Sequence, residues 1–164
     1  MQATLATPAR FAGVGLHTGA PVRMTMHPAP AGHGVVFRRT DLGGALVPAR
    51  WDAVVPSQLC TLLAGENGAT VSTVEHVMAA LAGTGIHNVL IDIDGPEIPI
   101  LDGSSAPFVA GILAAGIRVS SEPLRAIRVL KTVEVHDGAG FARLSPADHL
   151  EMEFAIDFAD AAIG

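Results

Sequence analysis

Hydrophobic and polar positions alternate with period two at both ends of the chain and with helical spacing in the middle. Val22, Met24 and Met26 alternate with Arg23, Thr25 and His27, the pattern of a half-buried strand. The break Pro28-Ala29-Pro30-Ala31-Gly32 ends it, and Gly34 to Arg38 reads as the next strand. Shorter strands are expected at Trp51 to Val55 and Leu59 to Leu63. From Ser72 to Ala82 the apolar residues Val74, Val77, Met78 and Leu81 switch to helical spacing, and Gly83 and Gly85 stand where that helix should stop. Ile86 to Asp94 returns to strand, with Val89, Ile91 and Ile93 on one face and Leu90, Asp92 and Asp94 on the other. A second helix fits Pro107 to Ala115, with Ser104 or Ser105 as cap, Pro107 in the first turn and Gly116 after the end. These elements predict an α+β fold, a small sheet layered against two helices.

Beyond Ser120-Ser121-Glu122-Pro123 the strand pattern resumes. Leu150, Met152, Phe154, Ile156 and Phe158 alternate with Glu151, Glu153, Ala155, Asp157 and Ala159, and the acidic face reads as a solvated strand face. Two stretches resemble each other across the chain. Val14-Gly15-Leu16-His17-Thr18-Gly19-Ala20 precedes Met26-His27-Pro28-Ala29, and Val133-Glu134-Val135-His136-Asp137-Gly138-Ala139 precedes Leu144-Ser145-Pro146-Ala147. Both read as strand, tight His-x-Gly turn, strand and Pro-Ala break. A duplicated unit explains the shared order; two ordinary hairpins that use the same turn residues explain it as well. The duplication places a first α+β domain at residues 1–121 and the opening strands of a second, incomplete one at 122–164.

Composition narrows the function. Of 164 residues, 49% are hydrophobic and 16% charged, ample for a core and unlike a disordered chain. A net charge of −6 argues against a nucleic-acid surface, since Arg38-Arg39 is the nearest thing to a basic cluster and reads as a solvated strand end. A single cysteine, Cys60, excludes an intrachain disulfide and fits a reducing cytosol. The N-terminus lacks a signal-peptide pattern, and no apolar run is long enough for a transmembrane segment. The expectation is a cytoplasmic protein.

Candidate chemistry centres on Ser72-Thr73-Val74-Glu75-His76. Ser72-x-x-Glu75 reads as a capping box, which would satisfy free N–H groups at a helix start and leave only His76 unexplained. The same Glu75-His76 pair also suits metal-assisted hydrolysis, in which a carboxylate beside a metal-ligating histidine takes a proton from water. His17 lies in a Gly-rich turn. Cys60 sits in an apolar stretch and reads by itself as a small buried hydrophobe. Gly13-x-Gly15 has no helix after it, so a dinucleotide site is not expected.

Taken in order, Gly13-Val14-Gly15-Leu16-His17-Thr18-Gly19, Phe37-Arg38-Arg39-Thr40-Asp41-Leu42, Ser72-Thr73-Val74-Glu75-His76 and Gly95-Pro96-Glu97-Ile98-Pro99-Ile100-Leu101-Asp102-Gly103-Ser104 closely resemble the UDP-3-O-acyl-N-acetylglucosamine deacetylase family. These are zinc enzymes of lipid A synthesis in Gram-negative bacteria. The resemblance runs from about Thr4 to Asp160 and implies two domains of one α+β fold with the site between them. It implies that Glu75 is the general base, that His76 is a Zn2+ ligand, and that Leu59 and Cys60 lie near the substrate cleft. His17 matches the family's glycine-flanked histidine, a substrate-binding candidate. The substrate implied is a UDP-linked acylated glucosamine that loses its N-acetyl group as acetate. The remaining ligands belong to the family's second domain, and none is assignable here. A catalytic zinc takes about three protein ligands, so the chain alone is expected to be inactive, with possible self-association through exposed second-domain strands. A non-catalytic module that binds acyl-sugar nucleotides, or one that pairs through a sheet edge, is the alternative.

Overall fold

The alternating residues of the first half bury one face of a sheet, and two helices cover that face. This is seen in a computed structural model that describes residues 1–65, 67–160 and 162. The strands are β1 (Ala3–Leu5), β2 (Ala9–Val14), β3 (Pro21–Pro28), β4 (Val35–Arg39), β5 (Ala45–Pro48), β6 (Val54–Val55), β7 (Leu62–Ala64) and β8 (Thr70–Ser72). Helix α1 (Glu75–Thr84), β9 (Val89–Ile93), α2 (Ala106–Ala115), β10 (Ile117–Val119), β11 (Val133–Asp137) and β12 (Gly140–Leu144) follow. The chain divides into two compact units, Met1–Leu124 and Arg125–Gly164.

In the first unit the main sheet has the order β2-β3-β9-β4-β5, parallel only between β4 and β9. Val22, Met24 and Met26 of β3 and Val89, Ile91 and Ile93 of β9 are buried, so the predicted faces are the observed ones. They join one core with Phe37 and Val47 of the neighbouring strands, Val77, Ala80 and Leu81 of α1, and Phe108 and Ile112 of α2. The two helices pack on each other, and α2 also packs on β2, where the Phe11 and Phe108 rings lie 5.2 Å apart. The α+β prediction therefore holds. A second sheet, β6-β7-β8, carries the chain toward α1, and β1 pairs with β10 to tie the unit's ends together.

Several local expectations differ from the structure. Trp51–Ala53 is a 3-10 turn, and Leu59 and Cys60 lie in a bend before β7, so both short strands are smaller than predicted. Arg39 is not a solvated strand end. It is buried, its guanidinium paired with the Asp41 carboxylate (2.9 and 2.7 Å) and donating to the Thr70 carbonyl at 2.5 Å. Arg38 instead forms a fork with Asp92, which His27 also contacts at 3.0 Å on the outer face of the sheet. Helix α1 runs past Gly83 and ends at Gly85. There a left-handed φ of 70° lets the Ile86 N–H reach the Leu81 carbonyl at 2.9 Å.

In the second unit β11 and β12 form a hairpin in which Asp137 pairs with Gly140 and His136 with Phe141. His136 is thus a strand residue, whereas His17 lies in the longer loop between β2 and β3, so the two histidines do not occupy equivalent turns. The predicted strand at Leu150 to Phe158 is absent. A strand needs a neighbour to take its N–H and C=O groups, and no described strand pairs with this segment. Its apolar side chains are exposed, Met152 and Phe154 at 84% each.

Because Phe108 is fully buried where α2 meets β2, Phe108→Ala should lower stability by about 3–5 kcal/mol. Urea unfolding of the variant should show an earlier midpoint with an unchanged slope.

Candidate active site

Glu75 and His76 open α1, and the conformation just before them sets their position. Ser72 closes β8, Thr73 takes a left-handed φ of 59°, and Val74 stands at the helix N-cap without a side-chain cap. A left-handed backbone at a β-branched residue costs on the order of 1–3 kcal/mol and persists only where neighbours hold it. The capping box is not formed, because strand pairing claims Ser72 first. The Ser72 N–H donates to the Pro96 carbonyl at 2.9 Å and the Ile98 N–H donates to the Ser72 carbonyl at 3.1 Å. The Ser72 hydroxyl also turns to Pro96, at 3.3 Å. Released from capping, the Glu75 carboxylate accepts the Thr61 N–H.

The carboxylate that holds this junction is Glu97. It is 1% exposed. Oε1 accepts the His17 N–H and the Thr73 hydroxyl, both at 2.9 Å. Oε2 accepts the Thr18 N–H at 2.9 Å and the Thr18 hydroxyl at 2.8 Å. One buried carboxylate thus joins the β2–β3 loop to the residue that launches α1. Gly15 makes room for it, since a Cβ there would stand 2.3 Å from Oε2. Burial opposes the charge of Glu97, but the N–H groups of His17 and Thr18 and the two hydroxyls outweigh it and lower the carboxyl pKa to about 2.

Glu75 shows the same balance more weakly. Burial raises its pKa, and its own backbone amide, that of Thr61 and the neighbouring His76 more than reverse this, so it lies below the ordinary value. The exposed carboxylate is ionised at neutral pH, the form a base requires. His76 is half-buried. Its carbonyl accepts the Ser105 hydroxyl at 2.9 Å, which fastens the head of α1 to the start of α2. At that start the Ser104 hydroxyl accepts the Ala106 N–H at 3.1 Å, while Ser105 stands at the N-cap without a side-chain cap.

The residues expected from sequence are thereby linked. His17 reaches Thr73 through Glu97, and Leu59 and Cys60 immediately precede Thr61, whose N–H holds Glu75. Leu59 is 93% exposed with a φ of 62°, and Cys60 is half-buried with its sulfur 3.2 Å from the Ser57 hydroxyl. Cys60 is therefore not the buried strand residue that its apolar surroundings suggested. Among the described residues no three His, Cys, Asp or Glu side chains gather to hold a metal ion. The surface concavities lined by Gln2, Asn88 and Arg118 and by Leu42, Leu46 and Asn67 include none of the site residues. Glu97, Thr18 and Thr73 escaped sequence reasoning as site-builders. The available signal was a lone acid inside the apolar, proline-flanked run Pro96-Glu97-Ile98-Pro99.

Residues 2–164 match the model of the family described as UDP-3-O-acyl N-acetylglycosamine deacetylase. The chain belongs to that family. It is 50% identical over 158 residues to a protein of Myxococcus xanthus named UDP-3-O-acyl-N-acetylglucosamine deacetylase, covering 96% of this chain and 50% of that protein. Similarly named proteins of Idiomarina loihiensis and Citrifermentans bemidjiense are 49% and 47% identical over 163 residues, 99% of this chain and 53% of each. The chain spans about half the length of the curated relatives it matches. No helix among its described residues is long and apolar enough to cross a membrane.

The depressed pKa of Glu97 has a sign that can be measured. The unfolded chain takes up this proton near 4.5 and the folded one near 2, so stability due to Glu97 is complete above the higher value and is lost as pH falls toward the lower. The loss is on the order of 3 kcal/mol. Stability measured against pH should fall less steeply over this window in Glu97→Gln than in the native protein.

Proposed function

We propose that this chain carries the base-bearing half of an amide hydrolase site that removes the N-acetyl group of a UDP-linked, 3-O-acylated N-acetylglucosamine. The observation that carries the reading is the Glu75-His76 pair at the head of α1, with Glu75 ionised and held by Thr61, in a chain of the deacetylase family. The names of the relatives supply the substrate class. Residues 122–164 are read as the opening of a second domain of the same class, whose exposed apolar side chains would favour self-association. The setting is the bacterial cytoplasm.

In this reading Glu75 takes a proton from the attacking water as its oxygen bonds to the acetyl carbonyl carbon. The C–N bond then breaks, the sugar nitrogen gains a proton and acetate leaves. A correctly placed base of this kind contributes about 100- to 10,000-fold in rate. His17 and the Leu59–Cys60 bend are assigned to substrate contact, in keeping with the exposure of His17 and Leu59.

Zn2+ is the cofactor that the reading implies. His76 suits one ligand position, since among the described residues its ring takes no hydrogen bond, and a bound zinc would polarise the acetyl carbonyl as a Lewis acid. Among the described residues no second and third ligand converge on His76, so those residues do not fit a complete centre.

Two substitutions in the full-length protein separate the roles. Glu75→Gln should keep the zinc content and lower acetate release by about 100- to 10,000-fold, whereas His76→Ala should lower the zinc content itself. An undiminished rate in Glu75→Gln would show that Glu75 is not the base. The 164 residues alone, supplied with zinc, should release no acetate from the substrate.

A further inference from the structure

We infer that Glu97 is a positioning residue for Glu75, acting through Thr73 and Thr61 along a continuous run of hydrogen bonds. The inference rests on the reading of Glu75 as the base and goes beyond it, since Glu97 belongs to a different segment and touches neither Glu75 nor His76.

The run can be followed atom by atom. Glu97 Oε1 accepts the Thr73 hydroxyl at 2.9 Å. The Thr73 N–H donates to the Thr61 carbonyl at 3.1 Å, and the Thr61 N–H in turn donates to Glu75 Oε1. The first link leaves its donor and acceptor little alternative. Thr73 is 3% exposed and Glu97 1%, so the hydroxyl and the carboxylate have no water to turn to if they part. The left-handed backbone at Thr73 is the least favourable conformation in the run, and its hydroxyl contact with Glu97 is the side-chain interaction that holds it. If Thr73 relaxes toward an ordinary φ, its N–H swings away from the Thr61 carbonyl, and the segment presenting the Thr61 N–H loses its register with Glu75.

The same carboxylate fixes the β2–β3 loop. His17 and Thr18 donate their N–H groups to it, so the loop that bears His17 and the residue that starts α1 are spaced by the width of one carboxylate. Ser72 bonds to Pro96 and to Ile98, the residues on either side of Glu97, which keeps it from sliding along β8. A carboxylate suits this position because all its partners are donors. Four N–H and O–H groups point at it, and an amide would turn its own NH2 toward some of them.

His76 depends less on this run. It follows Glu75 within α1, and the Ser105 hydroxyl holds its carbonyl independently. Loss of the Glu97 contact should therefore displace the base more than the zinc ligand. A misplacement of about 1 Å at a reacting group can cost about 100-fold in rate.

The test uses the full-length zinc-loaded protein and its natural substrate, with Glu97→Gln, Thr73→Val, Thr73→Ser and Glu75→Gln compared by kcat, KM, zinc content and thermal unfolding. Thr73→Val keeps the shape of the side chain and removes the hydroxyl; Thr73→Ser keeps the hydroxyl. The expected result is a kcat about 10- to 100-fold lower in Thr73→Val and Glu97→Gln, with KM within about threefold and zinc content unchanged, and recovery in Thr73→Ser to within about threefold of the parent. If Glu97→Gln does not fold, the Val and Ser pair at Thr73 decides the matter alone. A folded Thr73→Val with the parent's kcat, or a Thr73→Ser as impaired as Thr73→Val, would overturn the inference while a collapsed rate in Glu75→Gln left the base assignment standing. An unimpaired Glu75→Gln would instead overturn the base assignment and the inference with it.

Discussion

One buried carboxylate with four donors around it sets the geometry of the candidate site. Glu97 is shielded from water, so its charge persists only because His17, Thr18 and Thr73 supply hydrogen bonds that replace hydration. That requirement works in both directions. The loop between β2 and β3 and the strained turn before α1 are held where the charge needs them. Gly15 belongs to the same arrangement, because any side chain there would occupy the space of the carboxylate.

Around this point the first unit is an ordinary two-layer domain. Its sheet offers one apolar face to two helices, and its ends are joined by the pairing of β1 with β10. This rigid frame delivers Glu75 and His76 at the start of α1, a place where orphan N–H groups and the helix dipole favour a negative charge. The side chains expected to meet substrate, His17 and Leu59, are exposed, while Glu97 and Thr73, which hold the junction, are buried. The second unit has little burial of its own: apart from the half-buried Val129, its described side chains are exposed.

The central strands β3, β4 and β9 of the main sheet and both helices were legible in the sequence because each buries one face, whereas the edge strand β5 was not. The alternation at Val22, Met24 and Met26 and at Val89, Ile91 and Ile93 is a direct record of that burial, and the spacing of Val77 and Leu81 records the helix. Glu75-His76 was legible as a motif and His17 as a glycine-flanked residue. The parts that were not legible depend on contacts between distant segments. Ser72 and Glu75 have the spacing of a capping box, yet pairing with the segment from Pro96 to Ile98 takes Ser72 into a strand, and local spacing carries no trace of that competition. Arg39 looked solvated because Thr70, whose carbonyl it reaches, is thirty-one positions away. The partners of Glu97 lie up to eighty positions away and include backbone amides, which no residue type announces. At Leu150 to Phe158 the pattern is that of a strand, but pattern alone does not supply a neighbouring strand.

The central claim is that Glu97 is a buried, ionised carboxylate bound by the β2–β3 loop and by Thr73. Its most direct test is a carbon NMR titration of the Glu97 side-chain carboxyl, followed together with the amide protons of His17 and Thr18. The account predicts a carboxyl signal still in its ionised position at about pH 3, with both amide protons moving only as that signal moves. A carboxyl that titrates near the ordinary value of 4.5, with amide protons of His17 and Thr18 indifferent to it, would contradict the account.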